Sequence, residues 1–496
     1  MYVRFAIMEH RLTPEPLVKE PAPLLQKISE FTSFPPQPLN PSFHFSSELQ
    51  SYLSGRSLLV DEIPFSMDTL FEHYVNGYVS YGKGVFNGQC RRCGNDRPHL
   101  FAAFNCSRCR TKCTYCRKCI MMGRVSECTP LLRWTGSEPK PPPVTYDWSG
   151  TLSEAQKAAS EQLKSDIQSY NDLLIWAVCG AGKTEVLFEG IAEALQQHKR
   201  VCIAAPRTDV ILELSPRLKA VFPNTPITTL YGGTEERHTY GHLVLSTTHQ
   251  LYRYKEAFDV MIIDEVDAFP YSFDHSLQWA VEKARKSDSS LIYLTATPDS
   301  KTQQECTKGT RNFTQIPARF HRYPIPHPRF VWCGLWKKSL EKNRIPSVLK
   351  KWTSLKLQQS KQALIFFPTV ELMKKSLPLF QELDPLIKSV HAEDPQRKEK
   401  VMKMRKGEIP ILLTTTILER GVTIPNIDVA VLGAEEKIFT ESALVQIAGR
   451  VGRSSEYPTG DIIYFHYGRT RGMIKALLHI DRMNNEARKR GLIHGK

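Results

Sequence analysis

Residues 177–184 read AVCGAGKT, and this stretch decides the fold of the longest part of the chain. The apolar run LLIW precedes it, and the following stretch TEVLFEGIAEAL has the spacing of an amphipathic helix. A strand, a glycine-rich loop and a helix in this order form a phosphate-binding loop. The pattern G-x-x-x-x-G-K-[ST] is complete except at its first glycine, where this chain has Ala177. The context predicts a nucleotide site despite that change.

The chemistry of such a loop gives its residues separate roles. Lys183 reaches the terminal phosphates, and the Thr184 hydroxyl ligates magnesium. Gly180 and Gly182 stand where the backbone crowds the ligand, and backbone amides at the helix N-terminus face the phosphates. The predicted nucleotide-binding residues of the loop are Ala177, Val178, Cys179, Gly180, Ala181, Gly182, Lys183 and Thr184.

An acidic pair is the second signal. The apolar stretch MII is followed by Asp264 and Glu265 in the segment MIIDEVDAF. An aspartate at the carboxyl edge of a strand can hold magnesium, directly or through water, and the adjacent glutamate can polarise the attacking water. An acidic turn after a strand is the simpler alternative. It is weakened because the pair follows Lys183 by about 80 residues in the same block of sequence.

Short apolar runs alternate with helical stretches in two blocks. Buried parallel strands alternating with helices form doubly wound α/β domains, so the sequence predicts two of them in tandem. The predicted strands are residues 173–178, 201–205, 242–247, 259–264 and 290–296 in the first block, and 362–368, 409–416, 428–434 and 460–466 in the second.

Charge and hydropathy restrict the partners. The chain of 496 residues has 66 Lys and Arg against 51 Asp and Glu, which gives a net charge of +15. Such an excess favours a polyanionic partner, either nucleic acid or an anionic membrane surface, although a basic proteome would give the same balance. No apolar run approaches the roughly 18 residues that cross a bilayer, and charges interrupt the N-terminal stretch. We expect a cytoplasmic protein with at most peripheral membrane contact.

Cysteines concentrate in one segment, with eight of the 12 between Cys90 and Cys128. In a reducing compartment, clustered C-x-x-C pairs indicate metal rather than disulfides. Two such pairs joined by a short hairpin form a tetrahedral zinc site. The spacing leaves the partition open, because the segment contains enough thiols for two sites. The candidate ligands are the pairs Cys90/Cys93, Cys106/Cys109 and Cys116/Cys119 and the single residues Cys113 and Cys128.

Composition also predicts the domain boundaries. SEPKPPPV, residues 137–144, is typical of a stiff linker between the cysteine-rich segment and the α/β blocks. We expect a partly disordered Pro-rich arm at 1–85, a zinc-binding module at 86–135, a linker at 136–148, an ATP-binding α/β domain at 149–300, a connector at 301–345 and a second α/β domain at 346–496.

The order of motifs resembles that of superfamily two helicases and translocases, which tolerate alanine at the first loop position. A-x-x-G-x-G-K-T and DEVD are joined by PRTDV, STTHQL, TAT, ALIFFPTV, TTTILERGVTIP and QIAGRVGR. The resemblance implies two RecA-like domains that bind ATP and magnesium. It implies that Gln156, in TLSEAQ, reads adenine. It also implies that Arg450 and Arg453 reach across the cleft to the γ-phosphate and stabilise transition-state charge.

The cysteine segment together with YCRKCIMMGRVSE, LLIWAVCGAGKTE and IIDEVDAFPY resembles the ComFA family of late competence proteins. On that basis Cys90, Cys93, Cys116 and Cys119 are the primary zinc ligands. The resemblance further implies an ATP-driven translocase of single-stranded DNA at the inner face of the cell membrane during natural transformation. It implies a ComEC-type channel, ComFC and DprA as partners.

Two alternatives remain at this point. Replication-restart helicases of the PriA type also join a cysteine-rich module to similar motifs, but their cysteines lie within the C-terminal half of the helicase. An ATP-gated DNA clamp with little turnover is the other alternative, and the intact Lys183, Glu265 and paired arginines argue against it. Strand stacking would need exposed aromatic rings, for which Tyr252, Tyr254 and Phe439 are candidates, although packing explains them equally well.

Overall fold

A computed structural model describes residues 4–18, 24–420 and 424–494 of the chain. Among these residues, no helix is both long enough and apolar enough to cross a bilayer. Three regions follow one another: a small N-terminal region that contains the cysteines, and two parallel-sheet domains.

The N-terminal region consists of short antiparallel sheets and two short helices. β4, β10 and β5 form one three-stranded sheet, and β2, β1 and β3 form another. The elements are β1 (Arg4–Met8), β2 (Arg11–Pro14), β3 (Gln26–Lys27), α1 (Ser47–Leu53), β4 (Leu58–Leu59), α2 (Met67–Val75), β5 (Val79–Lys83), β6 (Val85–Phe86), β7 (Gln89–Cys90), β8 (Phe101–Cys106), β9 (Thr111–Cys116) and β10 (Pro130–Trp134).

The described part of residues 1–85 differs from the extended, partly disordered arm that the prolines suggested. Phe5, Leu12, Leu53 and Tyr74 lie in one buried cluster with Trp134 from β10. Aromatic and aliphatic side chains, spaced too irregularly to show a period in the sequence, supply this core. Residues 1–3 and 19–23 of the expected arm lie outside the described residues.

The first α/β domain has a seven-stranded parallel sheet in the order β13-β14-β12-β15-β16-β11-β17. All five strands predicted for this block are present. The elements are α3 (Glu154–Gln168), β11 (Leu173–Ala177), α4 (Lys183–Gln196), β12 (Val201–Ala205), α5 (Thr208–Val221), β13 (Ile227–Leu230), β14 (Leu243–Thr247), β15 (Phe258–Ile263), α6 (His275–Ala284), β16 (Arg285–Thr295), α7 (Ser300–Thr307) and β17 (Phe313–Ile316).

The second α/β domain has a six-stranded parallel sheet in the order β18-β23-β22-β19-β21-β20. The four strands predicted for this block lie next to one another at its centre. The elements are β18 (Arg329–Trp332), α8 (Trp336–Glu341), α9 (Ser347–Gln358), β19 (Ala363–Phe366), α10 (Val370–Gln381), β20 (Lys388–Val390), α11 (Arg397–Arg405), β21 (Ile411–Thr414), β22 (Asp428–Leu432), α12 (Glu441–Ala448), β23 (Ile462–His466) and α13 (Arg471–Lys489).

The segment 301–345, expected to be a connector, contributes a strand to each sheet. β17 pairs with β11 at the edge of the first sheet, and β18 pairs with β23 at the edge of the second. Both strands are only four residues long and carry partly exposed side chains, so they lack the continuous apolar run that marks the central strands.

The cysteine-rich segment packs on the first α/β domain and is not a separate body, contrary to what the linker suggested. Cys90 and Cys93 share a buried cluster with Tyr252, Leu277 and Ala280. This cluster covers the face of the first sheet opposite to α4 and α5. The linker cannot reveal such packing, because the contact surface is made of residues far apart in the sequence.

Polar contacts reinforce this packing. The Glu62 carboxylate binds Arg92 at 2.9 Å and Arg253, in the first α/β domain, at 2.7 Å. Lys283 of α6 donates through Nζ to the Arg92 carbonyl oxygen at 2.7 Å. Arg92 is fully buried, so its pairing with Glu62 offsets the cost of removing both charges from water.

Candidate nucleotide and metal sites

The loop between β11 and α4 has the backbone of a phosphate cradle. Gly180 and Gly182 adopt positive φ angles of 83° and 69°, a region that side chains disfavour. A Cβ on Gly182 would lie 2.4 Å from Nε2 of Gln156. Glycine is therefore required twice here, once for each left-handed residue.

Ala177 occupies the first position of the pattern without strain. It is the last residue of β11, where it pairs in register with Ile316 of β17. It is fully buried, and it is not among the described residues that have a positive φ angle. A methyl group fits at this position because the strand conformation is open to any residue.

Gln156 lies beneath the loop and braces it. Its Nε2 donates to the carbonyl oxygens of Ala181 at 2.9 Å and Gly182 at 3.2 Å. Its Oε1 accepts from the amide of Ser153 at 2.8 Å, which closes the capping box of α3. The amide thus has a demonstrated structural role, and adenine reading stays a prediction.

A cavity of about 640 Å³ lies between the loop and the second α/β domain. Trp148 and Phe320 contribute aromatic rings to its wall. Ala177 and Val178 do not line it but lie buried behind the loop. The predicted residues that do line it are Gln156, Cys179, Gly180, Ala181, Gly182, Lys183, Thr184, Asp264, Glu265, Arg450 and Arg453.

The acidic pair follows β15 directly and enters this cavity. Glu265 has φ of 54°, unusual for a residue with a side chain, and Oδ1 of Asp264 accepts from its amide at 2.8 Å. Burial, and next the neighbouring Glu265 charge, raise the pKa of Asp264 to about 6. Backbone strain and crowded carboxylates are typical of functional sites.

The donors in the cavity fit a nucleotide with magnesium. The Thr184 hydroxyl and the Asp264 carboxylate offer the oxygen ligands that Mg²⁺ prefers. Oε2 of Glu265 is buried and has no hydrogen-bond partner, so it is available to a water or a ligand. Lys183 is the first residue of α4, where the helix N-terminus favours an anion.

Arg450 and Arg453 approach the same cavity from the second domain, just after α12. Nε of Arg450 donates to the Glu419 carbonyl oxygen at 2.9 Å, and Nε of Arg453 donates to that of Gly449 at 3.0 Å. Burial, and next the charge of Arg453, lower the pKa of Arg450 to about 9. Two positive groups held this close favour an anionic ligand between the domains.

Arg420 is a site residue that the sequence analysis missed. Both of its Nη atoms contact the Asp267 carboxylate of the first domain, and Nη1 lies 3.8 Å from Oε2 of Glu265. The signal was present in the letters ERG of TTTILERGVTIP and in the last acid of DEVD. Residues 421–423 of that motif lie outside the described residues.

The four cysteines predicted as primary zinc ligands form one buried cluster. The sulfurs of Cys90 and Cys119 are 3.8 Å apart, and those of Cys93 and Cys116 are 3.7 Å apart. Four thiolates at about 2.3 Å from a tetrahedral zinc lie about 3.8 Å from one another. The cluster fits Zn²⁺. Cys106, Cys109, Cys113 and Cys128 form a second cluster of the same compactness.

The three aromatic residues considered for strand stacking are buried. Tyr252, Tyr254 and Phe439 have exposed fractions of 3%, 2% and 3%, so they are packing residues. Phe269 and Phe273 are instead 68% and 76% exposed. They lie just after the acidic pair, beside the cysteine-rich segment.

Comparisons with known families agree with this division of the chain. Three family descriptions match: "Competence protein ComFA N-terminal domain" over residues 40–133, "Type III restriction enzyme, res subunit" over 149–300, and "Helicase conserved C-terminal domain" over 345–455. The parallel-sheet domains are thus those of an ATP-dependent, helicase-like enzyme.

Solved structures support the fold. S. cerevisiae Dbp5 bound to RNA and ADP BeF3 superposes with a TM-score of 0.51 at 16% identity, over 68% of this chain and 88% of that one. Mycobacterium smegmatis helicase Lhr bound to ssDNA and AMP-PNP gives 0.50 at 16% identity, over 68% of this chain and 50% of that one. Both α/β domains therefore have the RecA-like fold of helicases.

Two curated relatives extend over nearly the whole chain. Competence protein ComFA of Bacillus subtilis (strain 168) is 49% identical over 457 residues, which is 91% of this chain and 98% of that protein. Competence protein ComFA of Streptococcus pneumoniae (strain ATCC BAA-255 / R6) is 38% identical over 375 residues, 75% of this chain and 86% of that protein. The chain therefore belongs to the ComFA family of competence proteins.

Proposed function

We propose that this protein is a DNA-stimulated ATPase that translocates single-stranded DNA during uptake in natural transformation. One observation carries the proposal: the phosphate loop and acidic pair of the first domain share a single cavity with Arg450 and Arg453 of the second. A site divided between two domains can couple ATP hydrolysis to their relative movement. Each cycle of closure and opening then advances the protein along a strand.

The residues of the cavity have separate tasks in this proposal. Lys183 and the loop amides bind the phosphates, and Thr184 and Asp264 hold magnesium, which neutralises phosphate charge. Glu265 orients and polarises the attacking water through Oε2, which accepts no hydrogen bond and lies 3.8 Å from Nη1 of Arg420. Arg450 and Arg453 stabilise the charge that develops on the transferred phosphoryl group.

The adenine end of the cavity has its own recognition groups. Trp148 and Phe320 offer aromatic faces, and Gln156 lines the same cavity beneath the phosphate loop. Oε1 of Gln156 accepts one hydrogen bond and has a second lone pair. We assign base recognition to these side chains. Because Gln156 also holds the phosphate loop by hydrogen bonds, we predict that binding of the base changes the conformation of that loop.

The first zinc site is part of the proposal. We assign Zn²⁺ to Cys90, Cys93, Cys116 and Cys119, whose sulfurs meet the spacing of a tetrahedral site. Because these residues share a core with α6, the zinc would stabilise the surface on which the cysteine-rich segment meets the first α/β domain.

A groove at that junction is suited to single-stranded DNA. Phe269, Phe273 and Trp279 line a cavity of about 580 Å³ together with Arg97 and Lys118 of the cysteine-rich segment. Exposed aromatic rings stack on bases of any sequence, and the exposed Arg97 can contact phosphates, whereas Lys118 is paired with Asp274 at 2.8 Å. The net charge of +15 favours the same partner.

Family membership supports the cellular setting. We propose that the protein works at the inner face of the cell membrane, with a ComEC-type channel, ComFC and DprA as partners, as the resemblance of its motifs implies. Co-purification of each partner with the Glu265→Gln variant, in the presence and absence of ATP, tests this assignment. No enrichment over an unrelated helicase would contradict it.

The testing experiment is steady-state ATP turnover with no DNA, with single strands and with blunt duplex. The proposal predicts stimulation by single strands well above that by duplex, with little dependence on base sequence. Equal stimulation by blunt duplex would favour a double-strand translocase. Negligible turnover on every DNA, with ATP still bound, would favour an ATP-gated clamp.

A further inference from the structure

We propose that Cys106, Cys109, Cys113 and Cys128 bind a second structural zinc ion, distinct from the one assigned above. All four side chains are buried, and their sulfurs lie within 4.8 Å of one another. The Cys106 and Cys128 sulfurs are 3.9 Å apart, which is close to the edge of a tetrahedral ZnS₄ site and far too long for a disulfide bond. This inference is independent of the motor activity.

The chain builds the same turn at both clusters. In the first site, the amide of Gly94 donates to the Cys90 carbonyl oxygen at 2.9 Å, and Gly94 has φ of 73°. At the same spacing in the second cluster, the amide of Arg110 donates to the Cys106 carbonyl oxygen at 2.8 Å, and Arg110 has φ of 57°. Both C-x-x-C pairs therefore form the same metal-binding knuckle.

The second knuckle forms without the glycine that usually permits it. A residue with a Cβ seldom adopts a left-handed conformation, and it persists only where surrounding interactions fix it. Among the described residues, only Phe104 packs as an apolar side chain against the four sulfurs. Arg110 lies in the β8–β9 hairpin turn, which permits this conformation, and a shared metal ion would hold the four sulfurs together where an apolar core does not.

Polar side chains contact a sulfur in each of the two clusters. Asn95, five residues after Cys90, donates through Nδ2 to the Cys116 sulfur at 3.6 Å. Thr111, five residues after Cys106, has its hydroxyl 3.4 Å from the Cys109 sulfur. Hydrogen bonds of this kind orient thiolate ligands and reduce their negative charge.

The two sites interleave along the β8–β9 hairpin. Cys116, at the base of the hairpin, belongs to the first site, and Cys106, near its tip, belongs to the second. Cys128 then connects the tip to β10. A second zinc would fix the tip beside the N-terminal sheet, where Lys27 contacts the Lys112 carbonyl oxygen at 3.1 Å and the Glu127 carboxylate at 3.6 Å.

Native mass spectrometry and elemental analysis of the full-length chain, purified under reducing conditions, test the assignment. We expect two zinc ions per chain, and because all 12 thiols are buried, removal of zinc by a chelator should speed the alkylation of the eight clustered thiols and of no others. One zinc per chain, with the second cluster alkylated as fast as in denatured protein, would overturn the proposal. Iron in place of the second zinc would overturn it as well.

Variants then locate the ions. Cys109→Ser and Cys119→Ser should each lose about one of two zinc ions, whereas Cys306→Ser, a buried cysteine outside both clusters, should keep two. Arg110→Gly should keep two because glycine accepts the left-handed knuckle, and Arg110→Val should lower the occupancy. Full zinc retention by Cys109→Ser and Cys128→Ser alike would contradict the ligand set.

Discussion

Arg420 of the second domain holds Asp267 of the first in a two-point ion pair, with Nη2–Oδ2 at 2.5 Å and Nη1–Oδ1 at 3.3 Å. The hydroxyls of Thr295 and Ser442 donate to the same carboxylate at 2.8 and 2.7 Å. The carboxylate thus joins the strand end of β16 to α12 across the cleft. This contact exists only while the two domains face each other.

Breaking this ion pair should uncouple DNA binding from ATP turnover. We predict that Arg420→Lys lowers DNA-stimulated turnover by about tenfold or more, because an ammonium group cannot make two parallel bonds to one carboxylate. Asp267→Asn should do the same, and the double variant should be no worse than either alone. Fully additive losses in the double variant would show that the two residues act separately.

The pH dependence of that loss follows from the pair. Burial would raise the pKa of Asp267, but Arg420 and the hydroxyl hydrogen bonds hold it well below its usual range. A carboxyl group whose pKa is lower in the folded state than in the unfolded state stabilises the fold at every pH above its unfolded-state pKa. That stabilisation is lost only as the pH falls through the folded-state pKa. The Asp267→Asn defect should therefore be constant between about pH 6 and 8.

Substitutions of Lys183 and Glu265 should affect ATP binding and ATP hydrolysis differently. Lys183→Ala should weaken ATP binding and abolish turnover, since it removes the charge at the start of α4. Glu265→Gln should keep ATP binding but lower turnover by about 10²-fold to 10⁴-fold, because an amide cannot polarise the water as a base. Nucleotide affinity by fluorescence and turnover on the same preparations provide the check. Wild-type turnover in Glu265→Gln would exclude the proposed role.

Arg450 and Arg453 should affect the transition state more than the ground state. Such arginines typically contribute about 10³-fold to 10⁵-fold in turnover number. We expect Arg450→Ala to lose most of its turnover with a modest loss of ATP affinity. An Arg450→Ala variant that binds ATP poorly but turns over at the wild-type rate would make this residue a binding contact.

Phe269 and Phe273 should contribute to single-strand affinity. Each Phe→Ala change should cost about 1–3 kcal/mol in binding without altering the salt dependence, because stacking releases no counterions. Arg97→Ala, which removes an exposed cation of the groove, should instead reduce the salt slope by about one. Trp332→Ala is the matched control, since its ring is 65% exposed on the second domain. Equal losses of single-strand affinity for Trp332→Ala and Phe273→Ala would show that the groove does not bind DNA.

The sequence predicts the motor better than the small region before it. Central strands such as β11 and β22 are buried on both faces, so unbroken apolar runs mark them, and Gly180 and Gly182 are fixed by the backbone geometry of the loop. The described residues of the region 1–85 have no such signal, because their core is assembled from scattered aromatic and aliphatic side chains. Prolines there suggested disorder where the structure has strands and helices.

Contacts between distant segments also escape the sequence. Local periodicity does not encode how distant segments pack together. Neither the ion pair Arg420–Asp267 nor the packing of the cysteine-rich segment on α6 could therefore be predicted from it. The sequence suggested enough thiols for two metal sites but not their partition. The family resemblance supplied the first set of four, and the β8–β9 hairpin accounts for it by placing Cys106 and Cys116 near opposite ends.

Directional movement along a single strand is the property that distinguishes a translocase from other DNA-stimulated ATPases. The measurement is ATP-dependent displacement of streptavidin from single-stranded oligonucleotides biotinylated at the 3′ or the 5′ end, with Glu265→Gln as the matched control. A translocase should displace streptavidin from one end only, with a delay that grows with strand length, and Glu265→Gln should displace none. ATP hydrolysis stimulated by DNA without displacement from either end, or with no dependence on length, would contradict translocation.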